Sequence, residues 1–234
     1  MELKYQKIYL FVFAFLMLVS FDLNAASYSG SLSVSDGSLI ATAFWNNPLT
    51  SISWQVDDTT TSGLWHYEYR LVTATKAISH WIIEASDGSL GPAFTLANLF
   101  NVITQPLGWV DDVTIDTHAS GSNPNPYMPE DLYGIKFDSA INSTTVTLVF
   151  DSDRVPVWGD FYAKCGATSG VINTVYNAGF TTLDPTDPVA NGTLYNHIIV
   201  PDSHTVAPPV PEPGTFWMAL IALGFTYRFI AKKK

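Results

Sequence analysis

Hydrophobic and polar residues alternate along much of the segment 28–200. In the run 64–72, Trp65 and Tyr67 fall on one face of an extended chain, while His66 falls on the other. A period of two is typical of β-strands that bury one face. Aromatic and β-branched residues, which favour strands, are frequent throughout. The pattern predicts strands at 28–34, 38–45, 51–56, 64–72, 78–85, 132–138, 144–151, 158–164 and 193–200.

The connections between these runs predict an all-β fold. Residues 57–63 form a polar loop of hairpin length, and only 92–100 has enough helical character for one or two turns. The segment 117–130 has three prolines, and 181–192 has two Asp-Pro pairs and one Asn-Gly pair, which indicates irregular surface loops. Short strands joined by such loops predict an antiparallel β-sandwich with a jelly-roll or immunoglobulin-like topology.

The N-terminus has the layout of a secretory signal peptide. Two lysines occur within the first seven residues, an apolar run follows at 8–21, and small residues come next. This order predicts a signal peptide over 1–26, which signal peptidase would cleave between Ala26 and Ser27. The apolar run is shorter than the roughly 20 residues that a membrane-spanning helix requires.

The C-terminal segment 207–234 predicts a membrane anchor behind a stiff stem. Four prolines occur in 208–213, and they favour an extended chain that cannot continue a helix. The apolar stretch 214–231 is just long enough for one transmembrane helix. Basic residues beyond a span favour a cytoplasmic end, so the middle domain is expected on the outer face of the inner membrane. The flanking basic residues are Arg228, Lys232, Lys233 and Lys234.

The tripeptide Pro211-Glu212-Pro213, followed by this span and basic tail, resembles the PEP-CTERM sorting signal. That signal is found on exported proteins of Gram-negative bacteria that also make extracellular polysaccharide. The resemblance implies processing by exosortase, a membrane transpeptidase-like enzyme, near the tripeptide. An ordinary C-terminal anchor is the alternative. The runs 78–86, 133–138 and 156–164 also resemble uncharacterised members of the same group.

Charge is unevenly distributed along the chain. The formal net charge is −10, but six of the eleven basic residues lie in the first 26 residues or beyond Glu212. Residues 27–211 carry 18 acidic and 5 basic side chains, a formal charge of −13. A surface so poor in lysine and arginine argues against a nucleic-acid partner.

Clustered aspartates give a weak indication of calcium. Asp151 and Asp153 come at the end of a predicted strand, where carboxylates could supply the oxygen ligands that Ca²⁺ prefers. They do not match the calcium-loop motif, so a solvated acidic surface is the alternative. No other cofactor is predicted.

Catalytic motifs are not found in the sequence. The five histidines have no metal-type spacing, and we expect His66 and His80 to be solvent-facing or hydrogen-bonded structural residues. Glu68 and Glu84 lie on predicted strands and could form a glycosidase pair, although exposed strand charges explain them equally well. The chain has no G-x-S-x-G, P-loop or G-x-G-x-x-G sequence. We therefore predict that the protein is not an enzyme.

Two tryptophans are candidates for sugar stacking. Trp45 precedes two asparagines and a proline, and Trp109 follows a glycine, so turns at both places could expose the rings. Trp54 and Trp65 lie at alternating positions that are typical of a core.

These features predict three segments with separate fates. Residues 1–26 form the signal peptide, 27–206 the exported β-sandwich, and 207–234 the sorting signal. The expected product is a surface or matrix protein associated with exopolysaccharide or biofilm. A carbohydrate-binding module and a secreted polysaccharide-acting hydrolase are the alternatives.

Overall fold

The computed structural model describes residues 25–89, 91–121, 123–165 and 170–205, with side chains up to residue 202 in the last range. The first 24 residues of the predicted signal peptide and all of 207–234 lie outside the described residues. Among the residues that are described, no helix is long and apolar enough to cross a membrane.

The described chain folds into antiparallel sheets. The five-stranded sheet has the order β1-β3-β4-β9-β6, the six-stranded sheet β2-β12-β11-β5-β8-β7, and β10 pairs with β13. The strands are β1 Ser27–Ser33, β2 Leu39–Ala41, β3 Ser51–Asp57, β4 Trp65–Val72, β5 Ile78–Glu84, β6 Leu99–Gln105, β7 Val110–His118, β8 Leu132–Ser139, β9 Thr145–Ser152, β10 Arg154–Gly159, β11 Phe161–Cys165, β12 Thr174–Asn177 and β13 Ile198–Thr205.

The two larger sheets pack face to face, which confirms the predicted antiparallel sandwich. Tyr69 of β4 meets Trp81 of β5 edge-on at 6.2 Å between ring centroids. Phe150 of β9 stacks on Phe137 of β8 at 6.1 Å. All four rings are buried, and such aromatic pairs across a sandwich core add to the stability gained from area burial.

The two-stranded sheet is joined to this core by buried tyrosines. The hydroxyl of Tyr67 donates to the carbonyl of Arg154 in β10, and that of Tyr69 donates to the carbonyl of Ile199 in β13, both at 2.8 Å. Each phenol therefore satisfies its polar end inside the protein while its ring fills the core.

Several predicted elements differ from the structure. The predicted strand 158–164 is two strands, β10 and β11, which belong to different sheets. The predicted strand 38–45 ends early, at Ala41, and continues as a 3₁₀ turn over Ala43–Trp45. The helical turns expected within 92–100 are reduced to one 3₁₀ turn, Leu96–Asn98, before β6 begins.

The outer face of the six-stranded sheet is covered by loops. Ile82 and Tyr162, which point away from the sandwich core, pack with Met128, Leu132 and Phe180 in a second apolar cluster. This cover buries His80 as well, leaving it 4% exposed, so a solvent-facing position is wrong for this histidine.

The environment of His80 disfavours its charged form. Burial is the main cause that lowers its pKa, to about 3, and the nearby Lys136, Lys164 and His118 lower it further. The Asp138 carboxylate lies 3.9 Å from the Nδ1 atom, too far for a hydrogen bond. His80 is therefore neutral in the folded protein well below its ordinary pKa of 6.5.

We expect this histidine to weaken the fold in acid. Above pH 6.5 the ring is neutral in both states, but between pH 6.5 and about 3 only the unfolded chain takes up the proton. At pH 5 the loss is about 2 kcal/mol of the free energy of unfolding. Urea denaturation at pH 7 and pH 5 should show this loss for the native protein and a smaller one for His80→Gln. Equal losses in the two proteins would contradict the assignment.

Candidate functional site

A cluster of titratable side chains lies where the chain passes between sheets. β10 ends at Gly159, which pairs with Ile198, and β11 begins at Phe161. Asp160 is the single residue between them. The corner is tight, since a Cβ at Gly159 would lie 2.8 Å from the Oε2 atom of Glu84.

Asp160 is held in place by hydrogen bonds on both sides. Its main-chain N–H donates to Glu84 Oε2 at 2.7 Å, and its carbonyl accepts from the Glu84 N–H at 3.0 Å. The side-chain amide of Asn177 donates to Asp160 Oδ1, and its Oδ1 atom accepts from the N–H of Phe161 at 3.0 Å. Because the second bond fixes the orientation of the Asn177 amide, its NH₂ group must face the carboxylate of Asp160.

His197, one residue before β13, brings a buried imidazole to Asp160. Its Nε2 atom lies 3.1 Å from Oγ1 of Thr182, and that hydroxyl donates to the carbonyl of Gly179 at 2.7 Å. A hydroxyl has only one proton, so Thr182 must accept from Nε2–H. In the neutral ring, this places the lone pair of Nδ1 on the side of the carboxylates. A Cβ at Gly179 would lie 2.9 Å from the imidazole, so only glycine lets the ring lie here.

The Nδ1 atom of His197 faces two carboxylates. It lies 2.9 Å from Asp160 Oδ1 and 3.3 Å from Asp184 Oδ1, but it is aligned for a hydrogen bond with neither. Asp184 comes from the loop between β12 and β13, and its side chain is 42% exposed. The three ligand atoms lie within 4.8 Å of one another, which would allow them to hold a metal ion.

Negative charge exceeds positive charge in this cluster. Glu84, Asp160 and Asp184 supply three carboxylates, and none of them pairs with a lysine or arginine among the described residues. Burial and the neighbouring carboxylates raise the pKa of Glu84, and burial raises the pKa of Asp160. Burial would lower the pKa of His197, but the nearby carboxylates of Asp160 and Asp184 outweigh it and raise the pKa to about 9.

The two residues predicted to bind calcium have different partners. The buried carboxylate of Asp151 accepts from Thr61 at 2.9 Å and from Asn101 at 2.6 Å, and it lies 2.7 Å from Nδ1 of His66. Asp153 accepts from the amide of Asn98 at 3.0 Å. Calcium binding at Asp151 and Asp153 stays a prediction, but both oxygens of Asp151 already have partners.

The two tryptophans considered as candidates for sugar stacking lie inside the protein. Trp45 and Trp109 are both fully buried, so the exposure that stacking would require is not found. The indole N–H of Trp45 donates to the carbonyl of Thr75 at 2.8 Å, which turns the ring inwards despite the turn that follows. Neither ring offers a face on which a sugar could stack.

The two glutamates considered as a catalytic pair lie in different sheets. Glu68 is exposed on β4 of the five-stranded sheet, whereas Glu84 ends β5 of the six-stranded sheet and borders the cluster. The proximity of Asp160, Asp184 and His197 was not predicted from the sequence. The signals in the sequence were an aspartate next to a glycine in a predicted strand, an Asp-Pro loop and a histidine in a predicted strand.

Comparison with known proteins identifies the C-terminal segment. Residues 209–232 match the PEP-CTERM protein-sorting motif, which includes Pro211, Glu212 and Pro213. No curated protein and no solved structure shows significant similarity to the chain. The motif supports an exported protein that exosortase sorts and processes.

Proposed function

We propose that the β-sandwich is a non-enzymatic component of the cell surface or extracellular matrix, where it associates with exopolysaccharide. The observation that carries this proposal is the sorting motif at 209–232, because that signal marks exported proteins of bacteria that make exopolysaccharide.

The proposed route has two processing steps. Signal peptidase cleaves near Ser27 after export, and the segment 214–231 anchors the chain transiently in the inner membrane. Exosortase then cleaves near Pro213 and separates the domain from its anchor. The excess of basic residues at the C-terminus supports a cytoplasmic tail, with the sandwich on the opposite side.

A polysaccharide-acting hydrolase is the second candidate, and one observation favours it. Glu84 lies beside Asp160, and both carboxyl groups have raised pKa values, as a general acid requires. A sugar-binding module has less support, because Trp45 and Trp109 are buried.

Fractionation of producing cells tests the matrix proposal. We expect most of the processed protein to sediment with the polysaccharide matrix, and to move into the medium in cells that cannot make the polysaccharide. The same distribution in both kinds of cell would contradict the association.

Turnover of the isolated exopolysaccharide separates the two candidates. The matrix proposal predicts no release of reducing sugar by the native protein. Release that is abolished in Glu84→Gln but retained in Glu68→Gln would establish the hydrolase instead, since only Glu84 borders the carboxyl cluster.

A further inference from the structure

We propose that Asp160, Asp184 and Nδ1 of His197 bind a divalent transition-metal ion, for which Zn²⁺ is the probe. This inference goes beyond the proposed function and does not depend on it. The site would tie the loop between β12 and β13 to the corner at which the chain changes sheets.

The spacing of the donor atoms fits such an ion. With metal–ligand bonds of about 2.0–2.1 Å, neighbouring ligands of a tetrahedral or octahedral ion lie about 2.9–3.4 Å apart. The distances from Nδ1 of His197 to the oxygens of Asp160 and Asp184 are 2.9 Å and 3.3 Å. The exposed side chain of Asp184 leaves a route by which an ion and water could enter.

Nδ1 of the buried His197 imidazole is available as a metal ligand. His197 is fully buried, and its Nδ1 atom forms no aligned hydrogen bond although two carboxylate oxygens are near. Its other nitrogen is fixed by Thr182, an arrangement that is usual for histidines that bind metals. A metal ion at this position would take the place of the proton that Nδ1 otherwise presents to the two carboxylate oxygens.

Surrounding groups orient the carboxylate that would bind the ion. The side-chain amide of Asn177 donates to Asp160 Oδ1, and Glu84 Oε2 accepts from the main-chain N–H of Asp160. An imidazole ligand favours Zn²⁺ or a similar transition-metal ion over Ca²⁺, which prefers six to eight oxygens.

Zinc titration of the untagged full-length protein, purified in detergent and stripped with EDTA, tests the proposal. We expect one Zn²⁺ per chain after dialysis and a rise in Tm of roughly 5–10 °C at a hundredfold excess over Kd. Asp184→Asn should weaken binding about tenfold or more, and it should fold normally because the side chain is exposed. His197→Gln should abolish binding.

Asp187→Asn is the matched control, because it removes the same charge from an exposed position in the same loop. It should bind zinc as the native protein does. Failure to retain zinc, or equal retention by the Asp184 and His197 variants, would overturn the proposal. The proposal would also be overturned if Ca²⁺ raised the Tm as much as Zn²⁺ does and if this rise were unchanged in His197→Gln.

Discussion

Replacement of Pro211, Glu212 and Pro213 by three alanines is expected to leave the exported chain with an uncleaved C-terminus. The tripeptide lies inside the matched sorting motif, and its prolines favour the extended backbone that a processing enzyme can bind. Alanines remove the charge of Glu212 and the restriction that the two prolines place on the backbone. We expect the processed fraction to fall roughly tenfold or more.

Immunoblots of membrane and matrix fractions measure this effect. The variant should accumulate in the inner membrane with a higher apparent mass than the processed protein. Pro208→Ala, one residue outside the matched range, is the control and should be processed normally. Normal release of the triple variant would contradict sorting through this motif.

Gly134→Ala is expected to be the most damaging small substitution in the sandwich. Gly134 lies in β8 opposite Glu84 of β5, and a Cβ there would be 2.3 Å from the carbonyl oxygen of Ile83. The clash is with the main chain of the neighbouring strand, so no change of rotamer can relieve it. We expect a loss of about 3 kcal/mol or more in the free energy of unfolding.

Urea denaturation of the two purified proteins measures the loss. Ser139→Ala, on the same strand, should change stability by only about 0.5 kcal/mol, because it removes a single hydroxyl from a side chain that is only partly buried. A Gly134→Ala protein within 1 kcal/mol of the native one would show that β5 and β8 do not approach as closely as described.

Sequence periodicity predicted most strands that bury one face, but it missed β12 and the edge strands β6 and β7. β4 alternates because Tyr67 and Tyr69 face the core while Glu68 and Arg70 face solvent. β6 and β7 are the last strands of their sheets and are exposed on much of both faces, so their sequences carry little alternation. Local pattern is weak where burial does not impose it.

The candidate metal site depends on long-range topology rather than on a local motif. Asp160, Asp184 and His197 meet because the chain leaves β10 at Asp160 and returns at His197 into the partner strand β13. Their spacing in the sequence therefore resembles no metal-binding motif. The burial of Trp45 and Trp109 could not be predicted for a related reason. Their neighbours in the sequence indicated turns but could not show that the rings point inwards.

Mass spectrometry of the protein recovered from producing cells is the most direct test of the central claim, which is export followed by exosortase processing. The account predicts a mature chain that begins near Ser27 and ends near Pro213. A chain that still extends to Lys234 and remains in the inner membrane would contradict it.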